Sequence, residues 1–286
     1  MPGSAPQIQY RQEFVLGFAQ RASLLRDTVT RESVVKGNQA TFLVANYTGQ
    51  VVSRGVNGYI PYQDNDNAQV TATLVERHSP FEMTGFNIFQ SQADQRAIMQ
   101  MNSMTGINRD IDEFILGELA NGTLDTGATA TASLTMISKA IATLQNNGVP
   151  WDDGLFAVIS PAFLMYLQTI PSWASHDYVD VKPFVNFPGV EATTTTGRPK
   201  VVRWMNINWI VTGRISGAGT AAEKCYMYHR SALGYAVNSQ DIMTAIGYDE
   251  KQDISWARAS LFHGAKLLQN SGIVQMLHDG SAFVAT

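Results

Sequence analysis

Apolar positions along the chain change their spacing several times, and each change predicts an element. Across residues 91–121, Ile98, Met101, Met104, Ile111, Phe114, Ile115 and Leu119 recur at steps of three, four or seven, the period of one helical face. The spacing predicts one long helix, about 43 Å at 1.5 Å per residue. Ser91 followed by Asp94 predicts its capped start, and Asn121-Gly122 a left-handed closing residue. Gly106 and Gly117 weaken it locally, so two shorter helices broken at Gly106 form the alternative.

Upstream, Phe14, Phe18, Ala22 and Leu25 fall on one face of a short helix, which is marginal unless it packs on this subunit or another. Residues 39–89 read as strands. QATFLVANY and QVTATLVERH are rich in Val, Thr and aromatics, and the segment between them is dense in Gly, Asn, Asp and Pro. A two-stranded excursion with a polar tip is predicted, and two strands alone need outside support. An ordinary surface hairpin is the alternative.

Downstream of the long helix, GTLDTGATATAS reads as a small-residue linker. Leu134, Ile137, Ala140, Ile141 and Leu144 mark a second helix ended by Asn147-Gly148. LFAVIS reads as a short, continuously apolar strand, and Ser160-Pro161 as the N-cap and first residue of another helix. Residues 172–199 look irregular. VVRWMNINWIVTGRI returns as strand with Trp204 and Trp209 as packing residues; CYMYHRSALGYAV reads as a strand pair, and closing strands follow. The order indicates an α+β fold with helices packed on sheet.

Composition narrows the function. The 286 residues are 45% hydrophobic, enough for a substantial core, and the net charge of -4 excludes a strongly basic nucleic-acid binder. Cys225 is the only cysteine, so no intrachain disulfide or cysteine metal cluster is expected. No run of 18 apolar residues occurs and the start lacks a signal-peptide core, which predicts a soluble chain. The sequons at Asn46 and Asn121 read as chance matches.

Enzymatic signatures are missing from the sequence: no Gly-x-Ser-x-Gly, His-Glu-x-x-His, P-loop or dinucleotide fingerprint. SGAGT at 216–220 reads as a hairpin turn. His78, His176, His229, His263 and His278 lack metal-ligand spacing, and His176-Asp177 has no implied nucleophile. Asp110, Asp112 and Glu113 read as a solvated or interface face of the long helix, and Asp152-Asp153 as turn chemistry. No catalytic, cofactor or metal residue is expected.

Element order and wording carry more than any motif. VKGNQATFLVA with RGVNGYIPY, TGFNIFQSQADQRAIMQMNSMTGINRDIDEFILGELANGT, LFAVISPAFLMYL and the closing HRSALGYAVNSQDIM with SLFHGAKLLQNSGIVQML resemble the major capsid protein of tailed bacteriophages. The resemblance covers nearly the whole chain. It implies an N-terminal arm at 1–38, an extended hairpin loop at 39–89, a peripheral domain with the spine helix at 90–125 and 232–286, and an axial domain at 126–231. It implies a non-catalytic subunit that assembles with itself into hexamers and pentamers of an icosahedral shell, in the host bacterial cytoplasm. Scaffold, portal and cement proteins and weak contact with packaged DNA are implied partners, with no membrane. Residues 172–199 would lie near the hexamer and pentamer axes. Interface residues would include Phe14 and Phe18 of the arm, Arg54, Tyr59 and Tyr62 of the loop, and Asp110, Asp112 and Glu113 of the helix.

An encapsulin-like compartment of similar fold, a hydrolase built on 126–231 and a tail or adhesin component are the competing readings. Some capsids that the chain resembles are welded by an isopeptide bond from a loop lysine to an asparagine. Here no lysine lies between residues 37 and 138, so a noncovalent shell is expected.

Overall fold

A computed structural model describes residues 20–46, 51–58, 60, 66–90, 94–170, 201–239 and 241–283. Twelve strands and four α-helices are described. They are β1 (Thr30–Ser33), β2 (Gln39–Asn46), β3 (Asp66–Thr73), β4 (Val75–Thr84), α1 (Gly85–Gln90), α2 (Gln95–Leu119), α3 (Leu134–Asn146), β5 (Leu155–Ile159), α4 (Pro161–Gln168), β6 (Val201–Trp204), β7 (Ile207–Val211), β8 (Glu223–His229), β9 (Leu233–Val237), β10 (Met243–Asp249), β11 (Ile254–Leu267) and β12 (Ile273–His278).

The long helix is unbroken, at 25 residues or about 37 Å. Its cap is Asp94, whose side chain accepts the N–H of Ala97, so the predicted cap at Ser91 gives way; Ser91 itself lies outside the described residues. It ends at Ala120 in right-handed conformation, and neither Asn121 nor Gly122 adopts the expected positive φ. Its buried stripe runs Met99, Ser103, Ile107, Ile111, Ile115 and Leu119 in steps of four. Ile111, Ile115 and Leu119 face the core as predicted, whereas Met104 is exposed and Ile98 and Met101 are half-buried. The first half of α2 packs through small polar atoms: the Ser103 hydroxyl accepts the Ala259 N–H at 2.7 Å and donates to the Ser79 carbonyl. Because Ala259 and Ser79 face each other across β11 and β4, the serine bridges the ladder. Gly106 lies in the same contact, where a Cβ would fall 2.6 Å from the Ser79 hydroxyl and force it to rotate.

One sheet runs β1-β9-β11-β10, with β4 on the other flank of β11. The fourteen residues of β11 serve β10 with their first half, β9 with their last, and β4 along most of their length. A second sheet runs β12-β8-β5-β7-β6, with α3 and α4 on it, and β2 pairs with β3 as a separate hairpin. The core is continuous across both sheets: Leu25, Ile107, Ile111, Ile115, Ile137, Phe163, Trp209, Tyr228 and Tyr235 all belong to it.

Several sequence expectations hold. Ser160 caps α4 and Pro161 opens it, Gly148 (φ 77°) follows α3, the apolar β5 is a strand, and Trp204 and Trp209 are buried; Ser133, which the sequence reading did not single out, caps α3. Others are corrected. Ala22 and Leu25 are not helical; Leu25 is fully buried in the core instead. Residues 85–90 form a helix, not strand. QVTATLVERH is divided at Leu74 between the hairpin and the first sheet. VVRWMNINWIV is a hairpin, β6 to β7, turned by Met205 and Asn206 at φ 52° and 59°. CYMYHRSALGYAV is not a pair: β8 and β9 lie in different sheets, because the short 3-10 turn at Arg230–Ala232 redirects the chain.

Candidate assembly interface

The β2–β3 hairpin is in register from Gln39 opposite Thr73 to Asn46 opposite Asp66. Its root is seated on the first sheet at two glycines. A Cβ on Gly264 of β11 would lie 2.2 Å from the Thr73 carbonyl oxygen, and one on Gly234 of β9 2.8 Å from the Phe42 ring. Ala40, Ala72 and Ala236 form a small buried cluster there, against which Val35, Phe42 and Leu74 pack. The Leu74 N–H donates to the Asn38 carbonyl at 2.8 Å, closing the base.

Beyond this root one face of the hairpin stays covered, with Val44 buried, while the opposite face and the segment between the strands are open. Leu43 is 75% exposed, Val51 and Val56 are fully exposed, and Arg54 is exposed. Gly58 (φ 74°) donates to the Gly55 carbonyl at 2.9 Å, so the chain turns there as its glycine content predicts. Apolar side chains held in water lose the transfer free energy that burial would supply. Tyr59 and Tyr62 lie outside the described residues, as do Phe14, Phe18, His176 and the 172–199 stretch.

The three acidic residues of α2 divide. Asp112 is buried, which corrects its reading as a solvated or interface residue. Its carboxylate accepts the Ser23 hydroxyl at 2.6 Å, the Leu24 N–H at 3.0 Å, the Leu25 N–H at 3.1 Å and the Gln20 amide. Burial raises its pKa above the ordinary carboxylate value, against the opposing pull of those four donors. Asp110 is paired within the subunit, 3.0 Å from His263 Nε2 and 3.4 Å from Arg77, whose guanidinium also lies over the Phe114 ring. Glu113 is paired with Arg214 and remains more than half exposed. Residues 20–25 and α2 are thus fastened together inside one subunit, which the sequence could not reveal because the partners are about 90 positions apart.

Turn and core chemistry account for the remaining candidates. Asp152 accepts the Gly154 N–H at 2.8 Å and meets His229 Nε2 at 3.0 Å. His229 Nδ1 contacts the Ser231 hydroxyl at 2.7 Å and accepts the Ser231 N–H at 3.3 Å, so this Ser-His-Asp string closes the 3-10 turn after β8. The Asp152 carboxyl is held below its ordinary value, chiefly by the Gly154 N–H. SGAGT is a turn, with Gly217 and Gly219 at φ 73° and 76°, but not the expected hairpin turn: β7 before it and β8 after it each pair with β5 and not with each other. His263 and His278 are fully buried, and burial pushes the Cys225 thiol far up. No helix among the described residues is long and apolar enough to cross a membrane.

The model of the phage capsid protein family matches residues 4–280. The fold is similar to the Mycobacterium phage Che8 structure at 16% identity, covering 96% of this chain and 98% of that one with a TM-score of 0.72. The capsid of Ralstonia phage GP4 is similar at 10% identity over 96% of this chain and 95% of that one, TM-score 0.67. The capsid of a native GTA particle is similar at 11% identity over 97% and 96%, TM-score 0.68. No curated protein sequence matches the chain.

Proposed function

This chain belongs to the phage capsid protein family, as a structural subunit of a tailed-phage shell, and we propose that its copies close into hexamers and pentamers by laying the β2–β3 hairpin on a neighbouring subunit. The observation that carries this reading is the exposed apolar set Leu43, Val51 and Val56: Leu43 lies on the open face of the hairpin, whose other face is buried at Ala40, Val44 and Ala72, and Val51 and Val56 lie in the segment between its strands. A neighbour's surface would remove these side chains from water, with roughly 25 cal/mol gained per Å² buried. Arg54 and the exposed side of Glu113 would contribute to the same contacts, with Tyr59 and Tyr62. Phe14 and Phe18 would contribute from the arm.

The division into arm (1–38), extended loop (39–89), peripheral domain (90–125 with 232–286) and axial domain (126–231) is proposed on the same basis. It is supported by β9, β10 and β11 lying in one sheet, against which α2 packs, and β5 to β8 in the other. Three strands cross those boundaries: β1 and β4 join the peripheral sheet, and β12 the axial one. We place residues 172–199 near the symmetry axes, assembly in the host cytoplasm, and scaffold, portal and cement proteins as further partners. With a net charge of -4, contact with packaged DNA would be weak and non-specific. The subunit's work would be geometric rather than catalytic.

The test is a double variant, Leu43→Asp with Val56→Asp, read by sizing chromatography and negative-stain microscopy. The expected result is a folded subunit, with the wild-type thermal midpoint, that forms no particles. Normal particle yield would remove the hairpin from the assembly contacts.

A further inference from the structure

Glu223 and Cys225 are two residues apart on β8, so both side chains lie on one face of the second sheet. The register with β12 sets His278 directly opposite Glu223, and Met276 opposite Cys225. Three residues of ligand type therefore converge without any sequence spacing to announce them. All three are fully buried, and one ligand atom from each lies within 4.8 Å of the others.

Their hydrogen bonding is incomplete. Glu223 Oε2 meets His278 Nδ1 at 3.1 Å, but Glu223 Oε1 and His278 Nε2 are buried with no hydrogen-bond partner. On the His278 side the wall is aromatic, with the rings of Phe163 and Tyr166 edge-on at 4.9 and 5.4 Å; Ser160 hydrogen-bonds Cys225 on the other side, and a Cβ on Gly280 would fall 2.0 Å from Glu223 Oε2. A carboxylate with an unsatisfied oxygen in such surroundings is costly.

We propose that Glu223, Cys225 and His278 form a binding site for one divalent cation of the zinc type. Sulfur, imidazole nitrogen and carboxylate oxygen are the donor set that zinc takes. Bonds of about 2.0 to 2.3 Å to each donor fit the trio after small side-chain adjustment. A thiolate and a carboxylate cancel the charge of a divalent ion, leaving the buried complex neutral. On uptake the Cys225 thiol gives its proton to solvent and its sulfur binds the ion, while the imidazole binds through a neutral lone pair. The ion would tie the closing strand β12 to β8.

The experiment uses the full, untagged chain, unfolded and refolded with equimolar cobalt(II), then desalted. The expected result is about one cobalt per chain with a thiolate-to-cobalt charge-transfer band, displaced by zinc, and a thermal midpoint higher with zinc than after chelation. Because Cys225 is the only cysteine, that band can come from no other residue. Cys225→Ala should lose the band and at least nine-tenths of the bound metal; should it fail to refold, the wild-type spectrum decides alone. Wild-type chain without the band, or folded Cys225→Ala binding metal as the wild type does, would overturn the site. The readout is independent of shell formation.

Discussion

Asp112 Oδ1 and the backbone N–H of Leu25 lie 3.1 Å apart, joining the middle of the long helix to the segment that enters the core before β1. The Leu25 side chain is itself fully buried, so one short stretch is fixed by both its backbone and its side chain. Asp112→Ala should remove the acceptor shared by Ser23, Leu24, Leu25 and Gln20 and cost about 2 to 3 kcal/mol, the scale of hydrogen bonds to a charged group. Denaturant melting of the subunit measures the loss. Limited proteolysis should show new cleavage near residues 20–28, and an unchanged digest would mean that other contacts hold the segment.

The same carboxyl gives a pH dependence opposite in sign to ordinary acid denaturation. Its folded pKa is raised above the unfolded value of 3.8 by burial. The folded state therefore binds the proton more tightly, and the stability from that proton is fully present below the unfolded pKa and lost as pH rises through the folded one. Compared with Asp112→Asn, the wild type should gain relative stability as the pH falls from neutral toward 4. Parallel stability curves for the two proteins across that window would show that the donors fully offset the burial.

Elements governed by local chemistry were legible in the sequence, and those governed by distant pairing were not. Helix α3, strand β5 and the Ser160-Pro161 start of α4 follow from periodicity and capping, which neighbouring residues decide. The apolar stripe of α2 was only half legible. Its first half meets the β4–β11 ladder through Ser103 and Gly106, small residues that hydrophobic periodicity does not score, so Met101 and Met104 were misplaced onto the core face. Strands β8 and β9 read as one pair because both are apolar and adjacent, yet they part into different sheets. Asp112 looked like surface because an acidic residue on a helix usually is, and its partners at 20–25 lie outside any local window. The β2–β3 hairpin itself was legible, from its strand pattern and the Gly- and Asn-rich segment between the strands.

Two glycines give a paired test of how the hairpin is seated. In Gly264→Ala the new methyl group would lie 2.2 Å from the Thr73 carbonyl oxygen, a backbone atom that cannot move without shifting the root. The expected cost is roughly 2 kcal/mol or more from overpacking, with loss of particle yield. Gly117→Ala in α2 meets nothing within 4 Å and should stabilise the subunit by up to about 1 kcal/mol through helix propensity. Thermal melts and particle counts of both variants check the contrast, and equal effects would place the hairpin root away from β11.

Covalent cross-linking of the shell is testable from the lysine distribution. An isopeptide bond needs a lysine amine, and the lysines are Lys36, Lys139, Lys182, Lys200, Lys224, Lys251 and Lys266. The strands β2 and β3 and the exposed residues 51–58 between them contain none, so the projecting hairpin lacks the nucleophile. Cys225 is fully buried, so its thiol is not presented to a neighbouring subunit. Lys266 lies 3.8 Å from Glu118 of its own chain, and its amine is engaged at the base of the spine helix. The contacts between subunits are therefore expected to be noncovalent, with the apolar hairpin surface as a principal contributor. Boiled, reduced particles should migrate on a denaturing gel as one band near 31.3 kDa. A ladder of multiples would require a bond formed by residues other than the hairpin's.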